Sequence, residues 1–256
     1  MPDRFDAIAR NFYWLNVVRF FAGCFSKGEL LDLADRVKSL IEDPIIGQSR
    51  HSVTIAAMLL ADWVFAQSPK AVLQLSQALM KPESMQRLGP ASRRYGSTSV
   101  ISLPEKSGGR AIFEYAFGSL ESTDLLSDKR RQLARIAAAQ APDDFVEKRW
   151  LDSPSSKSNP VRWLQVGRSL GALVRADRAE IQSRLGKVSL SRQMVAILAS
   201  ALRFDCILTS DQNVQILQNL YLSSSVELGR PDMGHAPYYL VPVICTCARI
   251  LATCGS

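Results

Sequence analysis

The segment NFYWLNVVRFFAGCF, residues 11–25, constrains the fold more than any other stretch of the chain. Between Phe12 and Phe25 the only strongly polar side chains are Asn16 and Arg19. A surface helix of a globular protein needs one apolar stripe, whereas this segment offers apolar groups on several sides. It has to be enclosed, either by the chain's own core or by a neighbouring copy. Burial of each large apolar side chain is worth roughly 1.5–3 kcal/mol, so an exchanged segment of this kind is a strong polymerisation device. Phe12, Tyr13, Trp14, Phe20 and Phe21 are the candidate self-association residues, and a homo-oligomer is expected.

The remaining periodicity is helical, and the expected fold class is mainly α, an irregular helical bundle in two lobes. Ser26 and Glu29 have capping-box spacing. Leu30, Leu33, Ala34, Val37, Leu40 and Ile41 form the apolar side of the helix that follows. Ser68-Pro69 and Asn159-Pro160 each place a capping residue before a proline suited to the first helical position. VTIAAMLLADWVFAQ, KRRQLARIAAAQ and, after Ser189, LSRQMVAILASALR read as further helices, and FDCILTS as one short strand. STSVISL and RAIFEYAF have β tendency around Gly108-Gly109, which predicts a small hairpin near residues 97–117. DSPSSKSNP, residues 152–160, reads as a linker between an N-terminal lobe, 1–151, and a basic C-terminal lobe, 161–256.

Composition narrows the setting. A hydrophobic fraction of 47% in 256 residues suits a folded protein and excludes a disordered one. The odd count of cysteines, with Cys24 far from Cys206, Cys245, Cys247 and Cys254, does not resemble a disulfide framework. Asp3 and Asp6 interrupt any basic leader, so secretion through a cleavable signal is not expected. The apolar run 238–254 is short and contains Pro242 and Arg249, so integral membrane association is not expected either. These features point to an intracellular protein, cytoplasmic or nuclear, or to one carried in a virion.

The formal charge is +7, and its distribution is uneven. From Lys148 to Arg203 there are eleven Lys or Arg against three acids, a surplus of +8, so the rest of the chain sums to −1. Arg162, Arg168, Arg175, Arg178, Arg192 and Arg203 from this stretch are candidate phosphate contacts, with Arg168, Arg175 and Arg178 on one helix side and Arg192 and Arg203 on another. Arg93, Arg94, Arg110, Arg130 and Arg131 join them if the fold brings them together. A surface of this kind binds the backbone without reading sequence, and Tyr95, Trp150 and Trp163 are candidates for stacking on bases.

The sequence offers no clear catalytic or metal motif, and no cofactor is expected. His51 and His235 have no carboxylates at metal-site spacing, and Cys245, Cys247 and Cys254 lack the paired spacing of a zinc site. YGSTSV, residues 95–100, resembles the serine-threonine-serine element of ADP-ribosyl transferases, without that family's paired glutamates. ALRFDCILTSDQNVQIL, residues 201–217, resembles the late strand of PIN-type nucleases, which implies a metal-holding role for Asp211; the early strand ending in aspartate has no counterpart.

Basic helices, missing catalytic clusters and an over-apolar terminus share one explanation: a self-assembling protein that coats nucleic acid, probed first with single-stranded RNA, such as a viral nucleocapsid or coat protein. The alternatives are an enzyme acting on a nucleotide or phosphorylated substrate through Glu114, Asp211, His235 and Arg110, and a helical protein-binding adaptor or effector.

Overall fold

A computed structural model describes residues 2–88, 100–122, 127–185 and 190–206, with isolated positions 215, 218 and 219. The protein is mainly α, an irregular helical bundle, and no strand occurs among the described residues. The chain divides into two compact units, Met1–Pro142 and Asp143–Ser256.

The first unit holds α1 (Pro2–Ala9), α2 (Leu15–Ala22), α3 (Leu30–Glu42), α4 (Arg50–Ala61), α5 (Pro69–Leu79), α6 (Pro82–Leu88), α7 (Gly109–Ser122) and α8 (Ser127–Gln140). Helix α3 packs on α4 and α5, α2 on α1 and α4, and α7 along α8. The expected apolar side of α3 is buried in full, from Leu30 to Ile41. Its entry is fixed as the Ser26/Glu29 spacing predicts: the Glu29 carboxylate accepts from the Ser26 backbone N–H at 2.9 Å and from its hydroxyl at 2.6 Å.

The aromatic N-terminal segment does not form one continuous helix. Asn11 Oδ1 accepts from the Tyr13 backbone N–H at 3.0 Å, a local turn that competes with helix, and α2 begins afresh at Leu15. Helix α4 is also shorter than its apolar pattern. It ends at Ala61 in a Schellman turn, where Trp63 N–H donates to Leu60 O and Val64 N–H to Leu59 O, both at 3.2 Å. Trp63 holds the left-handed position of that turn, φ +61°, where glycine is usual.

The expected hairpin near 97–117 is corrected where it is described; residues 97–99 lie outside the described residues. RAIFEYAF is part of α7, because Ile112, Phe113, Ala116, Phe117 and Leu120 recur at helical spacing and all are buried. Packing of that face overrides β propensity. Gly108, at φ +96°, turns the chain into α7. The extended residues before it are held by Gln140, which accepts from Leu103 N–H and donates to Ile101 O, both at 2.9 Å.

The second unit contains α9 (Asp143–Leu151), α10 (Ser155–Ser158), α11 (Pro160–Leu170), α12 (Ala172–Arg175), α13 (Arg178–Leu185) and α14 (Arg192–Ser200). Its core contains a pair of fully buried indoles, Trp150 and Trp163, and the buried Val146, Leu164, Leu173 and Ile181. The expected linker at 152–160 lies inside this unit rather than between units. Ser153, Ser155 and Ser156 are buried, and their short hydroxyls satisfy the turn itself: Ser153 and Ser155 Oγ are 2.6 Å apart, and Ser155 N–H donates to Ser153 Oγ at 3.1 Å. Asn159 caps α11 as expected, accepting from Arg162 N–H at 3.1 Å. Helix α14 is capped by Ser191, which accepts from Met194 N–H; Ser189 lies outside the described residues. The expected strand FDCILTS is not one over its described part, since Phe204–Cys206 is a 3₁₀ turn.

Candidate nucleic-acid interface and aromatic surface

Helix α2 turns only Val18 and Ala22 fully into the core. It is held to the end of α4 by a two-pronged pair, Arg19 Nε to Asp62 at 2.6 Å and Arg19 Nη2 to the other carboxylate oxygen at 2.7 Å. The opposite side is left open. Tyr13 is 94% exposed, Phe20 79%, Phe12 55%, Trp14 47% and Val17 44%. Val17 and Phe20 lie on α2 itself, three residues apart, and Phe12, Tyr13 and Trp14 belong to the turn before it. Trp63, half exposed, adjoins the Asp62 that grips α2. Phe21 behaves differently from the other expected self-association residues. It is half-buried, edge-on to Phe25 at 6.2 Å, and Phe25 is edge-on to the buried Phe5 at 6.0 Å, so Phe21 serves its own unit.

His51 anchors the start of this segment. It is buried at the beginning of α4, its Nε2 donates to Ala9 O at 2.8 Å, and the Phe12 ring lies 4.6 Å from its own. Five large apolar side chains this exposed within residues 12–20 are a candidate interaction surface.

The arginines fare less uniformly than their sequence grouping. Arg93, Arg94 and Tyr95 lie outside the described residues. Arg110 sits beside Glu114 at 3.4 Å and Glu105 at 4.0 Å, Arg131 pairs with Asp128, and Arg175 pairs with Asp143 at 3.3 Å. None of Arg130, Arg162 and Arg192 stands free of other groups. Arg203 is a structural residue: its Nη1 donates to Ala176 O at 2.5 Å and to Val174 O at 3.3 Å, and its Nε faces Asp205 at 3.4 Å. It closes the carbonyl end of α12.

Arg168 and Arg178 form no ion pair with a described residue. Arg168 reaches solvent, while the protein around it partly desolvates the guanidinium and pushes its pKa down. The expected helix sides are corrected. Gly171, at φ +72°, ends α11, so Arg168, Arg175 and Arg178 stand on three successive helices. Arg203 lies beyond the end of α14, off the helix that carries Arg192.

The basic window also loses much of its surplus to its borders. Asp143, Asp144 and Glu147 precede it and Asp205 follows it. Two of those acids are the partners of Arg175 and Arg203. Base stacking by Trp150 and Trp163 is excluded, because both rings are fully buried against each other.

A second apolar opening in the first unit was not legible in the sequence. A groove of about 540 Å³ runs between α5 and α7, lined by Val72, Leu73 and Ala111 and also by Glu105, Lys106 and Glu114. Leu73 is more than half exposed there. Its α5 neighbours Leu75 and Leu79 follow the buried stripe, and Leu73 is the residue off that stripe.

The enzyme alternative gains no cluster. Glu114 is beside Arg110, Asp211 and His235 lie outside the described residues, and no group of three or more His, Cys, Asp or Glu among the described residues can hold a metal. Burial pushes the Cys206 thiol up from its ordinary value, away from nucleophilic use. Among the described residues no helix is long and apolar enough to cross a membrane. No protein-family model matches the chain, and neither a curated protein nor a solved structure is significantly similar to it.

Proposed function

We propose that the protein works by self-association through the aromatic side of α2, and that the assembled form holds nucleic acid, single-stranded RNA in the first instance, by its phosphate backbone, as a nucleocapsid or coat protein does. The observation that carries this reading is the exposure of Tyr13, Phe20, Phe12, Trp14 and Val17 together on one short helix and the turn before it. Such a surface costs free energy in water and is relieved when a second protein surface covers it.

The nucleic-acid half rests on the net charge of +7 and on Arg168 and Arg178, which have no described carboxylate opposite them. Exposed pairs such as Arg131–Asp128 are worth little and can exchange partners, but each brings its own acid. Of the described candidate arginines, few therefore come without an acid of their own, and the surplus of +7 belongs to the chain as a whole. Repetition along a strand multiplies that surplus, since each further copy binds at an effective concentration set by its neighbours.

The test is a titration of fluorescently labelled single-stranded RNA over a salt series, with the wild type and Phe20→Asp. Wild-type binding that is cooperative and weakens steeply with salt supports the reading. Loss of cooperativity in Phe20→Asp links it to assembly. Absence of RNA binding at low salt sinks the nucleic-acid half, and binding indifferent to salt points to a discrete pocket instead.

A further inference from the structure

We infer that the aromatic side of α2 from one copy seats in the groove between α5 and α7 of another copy, so that each protein donates one surface and accepts one. The inference rests on the self-association reading and names its acceptor.

The donor has the area such a contact needs. Taking about 200 Å² for a whole aromatic side chain, the exposed parts of Phe12, Tyr13, Trp14, Phe20 and Trp63 amount to roughly 650 Å². That approaches the ~800 Å² that each partner contributes to a standard stable interface. The side cannot fold into its own groove while α2 stays in place. Val18 and Ala22 are buried against the unit, and Arg19 is held at two points by Asp62. No described residue covers the aromatic side, and a second copy can.

The acceptor has the matching build. It is an open groove of about 540 Å³, with Val72, Leu73 and Ala111 among its apolar lining. Glu105, Lys106, Arg110 and Glu114 line it as well, with both signs of charge. Protein interfaces combine apolar and charged groups in this way. Because donor and acceptor are different surfaces, the contact is heterologous. It builds a ring or a running chain rather than a dimer that closes on itself, which suits a protein that follows a strand.

Complementation of defective full-length variants tests this. Phe20→Asp removes the donor and Leu73→Asp the acceptor; both side chains are exposed, and far-ultraviolet circular dichroism confirms that each variant folds. Tyr13→Asp serves as a second donor variant. In sedimentation velocity the wild type is expected to associate, each variant alone to stay monomeric, and an equimolar mixture to form a one-to-one dimer and nothing larger. A Leu73→Asp protein that associates like the wild type overturns the groove assignment while leaving the aromatic surface in place. A mixture that stays monomeric also overturns it, since an intact donor and an intact groove then fail to join. A monomeric wild type removes the underlying reading along with it.

Discussion

Trp150 and Trp163 form a reciprocal pair: their indoles stack at 4.4 Å and 11°, and each Nε1–H donates to the other residue's backbone carbonyl, at 2.8 and 2.9 Å. The pair satisfies both polar tips in a site that water does not reach, so it ties α9 to α11 through apolar area and hydrogen bonds at once. Gly167 makes the geometry possible, since a Cβ there would stand 2.3 Å from Trp150 Cε2. Gly167→Ala should therefore destabilise the second unit by about 1–3 kcal/mol through overpacking, although alanine is the better helix former by about 1 kcal/mol. Trp163→Phe should cost about 0.5–1.5 kcal/mol for the lost hydrogen bond, the Trp150 carbonyl keeping the Ser153 N–H at 3.1 Å. Urea denaturation followed by near-ultraviolet circular dichroism measures both. A Gly167→Ala protein more stable than the wild type would contradict the packing.

Trp63 should be a stability liability kept for its exposed ring. It occupies a left-handed position that glycine fills without strain, and such a conformation costs on the order of 1–3 kcal/mol in a bulky residue. Trp63→Gly is expected to raise the melting temperature and to weaken self-association. Leu202 repeats the arrangement after α14, at φ +59° with an exposed side chain, and Leu202→Gly should raise the melting temperature without affecting association. Thermal unfolding and light scattering on the two variants separate the effects.

Acid should loosen the first unit. The Asp43 carboxyl is held below its ordinary value by the backbone N–H groups of Ile46 and Ile45, and then by Arg10. Glu42 beside Lys81 and Glu29 beside Ser26 shift the same way. A group whose folded pKa is depressed contributes stability above its unfolded pKa and loses it as pH falls through the folded one. The melting temperature should be level near neutral pH and should fall below about pH 4. Asp43→Asn should lower it at neutral pH and make the acid decline shallower.

Two classes of arginine should separate in nucleic-acid binding. Arg168→Glu with Arg178→Glu should weaken binding to single-stranded RNA and reduce the salt slope by about 1.4, at roughly 0.7 per lost phosphate contact. Arg203→Ala should instead lower stability by about 1.5–3 kcal/mol by releasing the carbonyls at the end of α12. Anisotropy titrations and chemical denaturation on the same preparations distinguish the two.

Local chemistry was the part of the fold written plainly in the chain. The buried stripe of α3, the Asn159 cap and the Ser26/Glu29 bracket all follow from contacts within a few residues. The hairpin expectation failed because Ile112, Phe113, Ala116 and Phe117 fit β propensity residue by residue, while α8 rewards their helical spacing. The supposed linker failed because serines that look solvated can satisfy a buried turn. Among site residues, the aromatic surface was legible from the lack of polar positions between Phe12 and Phe25. The arginine grouping was not, because a charge count along the chain cannot see that Asp143 and Asp205 fold back onto Arg175 and Arg203. The α5–α7 groove needs two helices far apart in sequence, and no local signal marks it.

Sedimentation equilibrium of the wild type beside Phe20→Asp, across a wide concentration range, tests the assembly claim most directly. The account predicts a mass that climbs with concentration for the wild type and a constant 28.3 kDa for the variant. A wild type that holds the monomer mass at every concentration would contradict it.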